Sequence, residues 1–223
     1  MRFVSLVQGS PRWHEWRAGG IGGSDAAAIL GLSPWCAPLL LWQRKTGRAP
    51  EQEVSFAMRR GQKLEPVARR LYEGLVGWEA PPVCVEHPTR PWLRVSLDGL
   101  DPWGDVPLEI KCPNGDAHRL ALDGRVPDYY APQVQFQLLV TGARVLHYVS
   151  YNPSACFGAG EQLSAPVEVR PDPAMFALLS TFTDRFVQCW RDDTPPDWTT
   201  VAGAVPGAVP TVERPKRRKA VAS

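Results

Sequence analysis

Residues 92–111 read WLRVSLDGLDPWGDVPLEIK, two short apolar runs separated by turn residues, with charges where a buried sheet should carry none. "WLRVSLD" alternates like a strand, "DPWGD" supplies turn residues and "VPLEIK" returns, which predicts a β-hairpin with Asp98 and Glu109 brought together at one end. Side chains alternate faces along a strand, so Glu109 and Lys111 share one face and Leu108, Ile110 and Cys112 the other. A Glu-x-Lys pair on a half-buried sheet is commonly a plain ion pair worth little. Here Asp98 precedes it across the turn and Glu65 lies on an upstream helix, so more than one acid needs a cation. Asp98, Glu109 and the backbone carbonyl of Ile110 form an all-oxygen donor set of the kind that hard divalent cations such as Mg²⁺ take, with water completing the shell. Such an ion can turn a bound water into a nucleophile and neutralise charge on a phosphodiester, and Lys111 could hold that water or add charge at the phosphate.

The surrounding chain predicts helices and strands in alternation. "SDAAAIL" at 24–30 reads as a capped helix start after a Gly-rich loop, with Ser24 or Asp25 as the cap. "PLLLWQRKTG" predicts a second helix ended by Gly47. In "GQKLEPVARRLYEGLVG" apolar residues at 64, 67, 68, 71 and 75 form a helical stripe, and Pro66 should either occupy the first turn or bend the helix. "DYYAPQVQFQLLVTG" suits a helix with Pro132 in its first turn, and "RVLHYVSY" and "PVEVR" read as strands. Over 173–191, Met175, Phe176, Leu179, Phe182, Phe186 and Trp190 recur at helical spacing, a core stripe. From about residue 192 the chain turns to Pro, Gly and small residues followed by "RPKRRK", which divides it into one domain over 1–191 and a flexible basic tail over 192–223.

A net charge of +2 does not make the whole surface a trap for polyanions, so any nucleic-acid binding must come from a local patch. No apolar run approaches the roughly 20 residues that cross a bilayer, and the first residues do not read as a secretory signal, which points to the cytoplasm and to no membrane partner. Five cysteines with no CxxC pair read as free thiols. No His shares metal spacing with another His or Cys, so zinc is not expected. Trp13, Trp16, Trp35 and Trp92 could stack on frayed bases, although packing in the core is the usual employment of such rings.

The order Asp98, spacer, Glu109-x-Lys111 resembles the PD-(D/E)XK nuclease superfamily, and five blocks narrow the resemblance to its lambda exonuclease and YqaJ-like viral recombinase branch. These blocks are "WHEWRAGGIGGSDAAAILG", "RRGQKLEP", "SLDGL", "LEIKCP" and "YYAPQVQFQLLVTG", in that order over most of residues 12–152. "SLDG" stands where the superfamily nominally has Pro-Asp. The resemblance implies an α/β fold with a central mixed β-sheet flanked by α-helices. It implies that Glu65, Asp98, Glu109 and the Ile110 carbonyl surround Mg²⁺, or Mn²⁺ in its place, that Lys111 is the catalytic lysine, and that Gln133 completes the site. Gln137 shares the helical face of Gln133 by its four-residue spacing and is the lesser candidate. Arg17 and Ser24 fall where the family contacts the 5′ phosphate of DNA, and a forked guanidinium beside backbone N–H groups suits an anion.

The activity implied is a 5′ to 3′ exonuclease on double-stranded DNA ends that leaves single-stranded DNA for phage-type recombination. A single-strand annealing partner and a homo-oligomer, a trimer, are implied with it. An endonuclease of the same superfamily and a non-catalytic DNA-binding recombination scaffold are the alternatives. The basic tail could add nonspecific phosphate contacts or recruit the annealing partner.

Overall fold

The structure, a computed structural model, describes residues 1–51, 53–155 and 162–201. Seven strands and seven α-helices are found among them, and the strands fall into two sheets. Strands β1 (Arg2–Val4), β2 (Val83–Glu86) and β3 (Arg94–Leu97) form an antiparallel sheet in the order β1-β2-β3. Strands β4 (Gly99–Leu100), β5 (Pro107–Lys111), β6 (Leu146–Ser150) and β7 (Val167–Val169) form a mixed sheet in which β5 and β6 run parallel and the outer pairs antiparallel.

The helices are α1 (Pro11–Ala18), α2 (Ala26–Ile29), α3 (Pro38–Lys45), α4 (Phe56–Val76), α5 (Asp116–Leu122), α6 (Ala131–Thr141) and α7 (Pro173–Arg191). Together with the mixed sheet they make the expected α/β fold of a sheet flanked by helices. None of the described helices is long and apolar enough to cross a membrane. The helix predicted over 173–191 is α7, and its Leu179 and Phe186 are fully buried against Ile29, Leu30 and Phe136. Helix α6 begins with Pro132 in its first turn and ends at Gly142, whose left-handed conformation (φ 72°) turns the chain toward β6.

Three expectations change. First, the hairpin predicted for 92–111 is split between the sheets. β3 pairs with β2, and only Gly99 and Leu100 pair with β5, opposite Leu108 and Pro107. Asp98 therefore occupies the single step at which the chain passes from one sheet to the other. Period-two alternation identifies a strand but does not choose its partner, and Val83–Glu86 competes for β3.

Second, Pro66 lies in the interior of α4 because that helix starts ten residues earlier, at Phe56, with the Ser55 hydroxyl accepting from the Met58 N–H. The helix start predicted at 24–30 is a 3₁₀ turn (Gly23–Asp25) that runs into the four residues of α2.

Third, the chain does not leave the body at residue 192. Trp198 is half-buried against the core cluster and donates from Nε1 to the Ile29 carbonyl (2.8 Å), and Val201 is buried with its N–H on the Leu30 carbonyl (3.1 Å). Gly31, at φ +67°, permits this approach, since a Cβ there would lie 2.1 Å from the Thr199 carbonyl oxygen. The Pro-rich composition of this stretch conceals one large aromatic anchor. The basic cluster and Cys156 lie outside the described residues, and the other four cysteines are free thiols.

Candidate functional site

Glu109 lies in the middle of β5 with its side chain 2% exposed, an expensive place for a carboxylate unless it is paired and hydrogen-bonded. Both needs are met. The Lys111 ammonium, on the same face of the strand, lies 2.5 Å from Glu109 Oε1. Gln133 donates from Nε2 to that oxygen (2.7 Å) and accepts from Lys111 Nζ at its own Oε1 (3.2 Å). Gln137, one helical turn further along α6, donates from Nε2 to Glu109 Oε2 (2.5 Å). The opposite face of β5 carries Leu108 and Ile110 into a cluster with Ala68 and Tyr72 of α4, with Cys112 packed against it. The face assignment made from alternation therefore holds, and both faces are covered.

Asp98 reaches the same place from the sheet junction, where its Oδ2 accepts from the Ile110 N–H (2.7 Å). Burial, and then the charges of Glu109 and Glu65, push its carboxyl well above the ordinary value, against the pull of Lys111 and of the Ile110 N–H. Glu65 shifts upward for the same leading reason, burial, with Arg69 opposing and Glu109 adding to it. Burial disfavours the charge on Lys111, but Glu109 and Asp98 outweigh it and raise that pKa. Glu65, Asp98, Glu109 and Lys111 thus form one electrostatic unit, drawn from a helix, a sheet junction and a central strand.

Arg69 holds the unit's edge. Its guanidinium pairs with Glu65 one helical turn away and donates from Nε to the Asp98 carbonyl (2.6 Å). Sequence reasoning passed over this residue, although the Glu65-to-Arg69 spacing of four on a helix is the available signal. It also ranked Gln137 below Gln133, whereas both amides donate to the same carboxylate.

The donor set is all oxygen, and by type it fits a hard divalent cation held by few protein ligands and water. Oxygens Asp98 Oδ1 and Glu65 Oε2 carry no hydrogen bond among the described residues. Those residues contain no group of three or more His, Cys, Asp or Glu gathered closely enough to hold an ion as placed. Both Glu109 oxygens are instead taken by Lys111 and the two glutamines. A cation at this rim would compete with Lys111 for Glu109.

Arg17 and Ser24 form a second feature beside the first. Arg17 Nη2 donates to Ser24 Oγ (2.9 Å), and its guanidinium lies 4.7 Å from the centroid of Trp13. The loop that carries Ser24 rests on α6, for a Cβ on Gly23 would meet Gln133 Cγ at 3.5 Å and Gln137 Cγ at 3.6 Å. The Arg17–Ser24 pair is thereby tied to the turn of helix that grips Glu109. The Gly22 N–H, one of the groups expected to face an anion, is taken by Asp25 Oδ2 (3.0 Å), and Lys45 braces that carboxylate (3.1 Å). Trp13 and Trp16 are half-buried and donate to Ser96 and Glu86 (2.8 and 2.7 Å), and Trp92 is half-buried as well. Trp35 departs from core packing and is exposed.

This arrangement of helices and mixed sheet is similar to that of solved exonucleases. An alkaline exonuclease from Laribacter hongkongensis superposes with a TM-score of 0.65 at 28% identity over 81% of this chain and 93% of that one. The same exonuclease has been solved in complex with dAMP, at 27% identity and the same TM-score. A phage-related exonuclease from Haemophilus somnus 129PT shares the fold at 11% identity, with a TM-score of 0.54 over 78% of this chain and 94% of that one.

Residues 12–144 match the YqaJ-like viral recombinase domain, and the chain belongs to that family. It is 34% identical over 134 residues to the uncharacterized protein YqaJ of Bacillus subtilis (strain 168), a match covering 57% of this chain and 42% of that relative's length. The chain therefore corresponds to under half of that relative.

Proposed function

We propose that the protein is a Mg²⁺-dependent exonuclease that degrades one strand of a DNA duplex in the 5′ to 3′ direction and leaves single-stranded DNA for phage-type recombination. Mn²⁺ would substitute for Mg²⁺. The observation that carries this reading is the clasp of Glu109 by Lys111, Gln133 and Gln137, with Asp98 held on the Ile110 N–H beside it and Arg69 joining Glu65 to the Asp98 backbone. A structural ion pair needs one acid and one base, and this site keeps three acids against each other's repulsion. The likeness to an exonuclease at 28% identity supports the same reading.

Asp98, Glu109, the Ile110 carbonyl and Glu65 would hold the ion, which when bound supplies an acidified water and charge neutralisation at the phosphate. Lys111 is an ammonium donor beside that position, aimed by Glu109 and Gln133, and it stabilises charge as it develops on the phosphoryl oxygens. Gln133 and Gln137 keep Glu109 in one rotamer. Arg17 and Ser24 seat the terminal 5′ phosphate through charge-assisted hydrogen bonds. The partners proposed are duplex DNA ends, a single-strand annealing protein and further copies of the same chain in a trimer, acting in the cytoplasm.

The deciding experiment digests linear duplexes, end-labelled and with or without a 5′ phosphate, alongside closed circular DNA. Wild type should release nucleotides from 5′ ends in Mg²⁺, favour phosphorylated ends and leave circles intact, while Lys111→Ala and Asp98→Ala, checked for folding, should be inactive. Arg17→Ala should reduce the preference for phosphorylated ends. Cleavage of circles would make the protein an endonuclease, and DNA binding without turnover in any divalent ion would make it a scaffold.

A further inference from the structure

Trp35 is 64% exposed, an open position for the largest side chain a protein has. It stands on the loop between α2 and α3, where Ser33 Oγ accepts from the backbone N–H groups of Trp35 and Cys36 (3.2 Å each), so its base is fixed. The indole meets Tyr129 edge to face, with ring centroids 5.3 Å apart at 88°. Tyr129 in turn meets Tyr130 at 4.4 Å and 63°. The Tyr130 ring lies 5.0 Å from Lys111 Nζ. A file of aromatic rings therefore runs from the ammonium of the site to the solvent. Its two tyrosines belong to the 3₁₀ turn Asp128–Tyr130 that leads directly into α6, the helix bearing Gln133 and Gln137. The file is thus braced by the element that positions Glu109.

The groups assigned so far, Lys111, Arg17 and the carboxylates, address phosphate, and none presents a surface to a base. An enzyme that degrades any sequence needs a grip indifferent to base identity, and every base offers a π face to an aromatic ring. We propose that Trp35, backed by Tyr129, is a stacking platform for a nucleobase of the strand whose phosphate lies at Lys111. This rests on the nuclease reading. Tyr129 meets the indole at right angles rather than stacked on it, and Trp35 remains 64% exposed.

The test is equilibrium binding, in EDTA to prevent cleavage, of a 5′-phosphorylated, fluorescein-labelled single-stranded oligonucleotide to the wild type, Trp35→Ala and Trp35→Phe. A matched oligonucleotide with abasic residues at its first positions is measured in parallel. Trp35→Ala should weaken binding of the base-bearing strand by roughly 5- to 150-fold, the range for one base stack. Trp35→Phe should keep most of the affinity, and the abasic strand should bind wild type and Trp35→Ala alike. Equal affinity of wild type and Trp35→Ala for the base-bearing strand overturns the platform, as does an equal loss on the abasic strand or a wild type that binds neither. A fall in sedimentation mass for Trp35→Ala would assign the indole to a contact between copies of the chain, and also overturns it. Digestion of linear duplex by the wild type in Mg²⁺ is scored separately: its absence removes the nuclease reading, while the binding comparison still decides the platform.

Discussion

Replacing Lys111 with Met keeps most of the aliphatic stem and removes the ammonium that lies 2.5 Å from Glu109. Glu109, 2% exposed, then remains as a buried carboxylate held only by two amides. Removing one partner of a fully buried pair costs about 3–5 kcal/mol, because the other charge is left uncompensated. Lys111 is 23% exposed and the two glutamine donors remain, which lowers the expectation to about 2–4 kcal/mol. For a chain of this size that is a fall in Tm of about 5–15 °C, measured by calorimetry in EDTA.

The argument becomes specific in the double variant with Glu109→Gln. An amide at 109 can accept from Gln137 and donate to Gln133, which is free to turn over once Lys111 no longer donates to its Oε1. The double variant should therefore recover at least half of the lost stability while remaining inactive. A Lys111→Met protein that melts with the wild type, or a double variant no more stable than the single, would refute the claim that an uncompensated Glu109 charge is what the lysine offsets.

Two other outcomes follow from the packing. A chain ending at 191 should lose at least about 3 kcal/mol in urea unfolding relative to one ending at 201, since it forfeits the burial of Trp198 and Val201, and equal midpoints would show that 192–201 does not belong to the body. Glu86 is buried; this works against its charge, but Arg2, the Trp16 indole N–H and Arg94 outweigh it and hold the pKa below the ordinary value. A depressed carboxyl pKa contributes stability that is present above the unfolded-state pKa and lost as pH falls through the folded one. Glu86→Gln should therefore flatten the loss of urea stability between neutral and acid pH, and an unchanged slope would count against that pairing.

How far the chain could be read in advance differs from element to element. The face shared by Glu109 and Lys111, the place of Pro132 in the first turn of α6, and the extent of α7 all follow from local periodicity and from proline and glycine geometry, which act within a few residues. The partner of β3 was not legible, because alternation says nothing about which strand competes for an edge, and Val83–Glu86 wins it. The same gap hid the path of residues 192–201, where composition suggests a loose segment and one tryptophan on the Ile29 carbonyl decides otherwise.

For the site, the residue types were legible and their engagement was not. Acids and a lysine at these spacings restrict the chemistry to oxygen ligation and cationic donation, whatever the tertiary arrangement. Only folding shows that Asp98 sits at the step between two sheets, that Arg69 bridges Glu65 to the Asp98 backbone, and that Gln137 grips Glu109 as Gln133 does. Only folding leaves Trp35 exposed at the end of a file of rings. The division has one physical cause: backbone geometry and side-chain alternation are set by neighbours in the chain, whereas burial, charge coupling and exposure are set by residues tens of positions away.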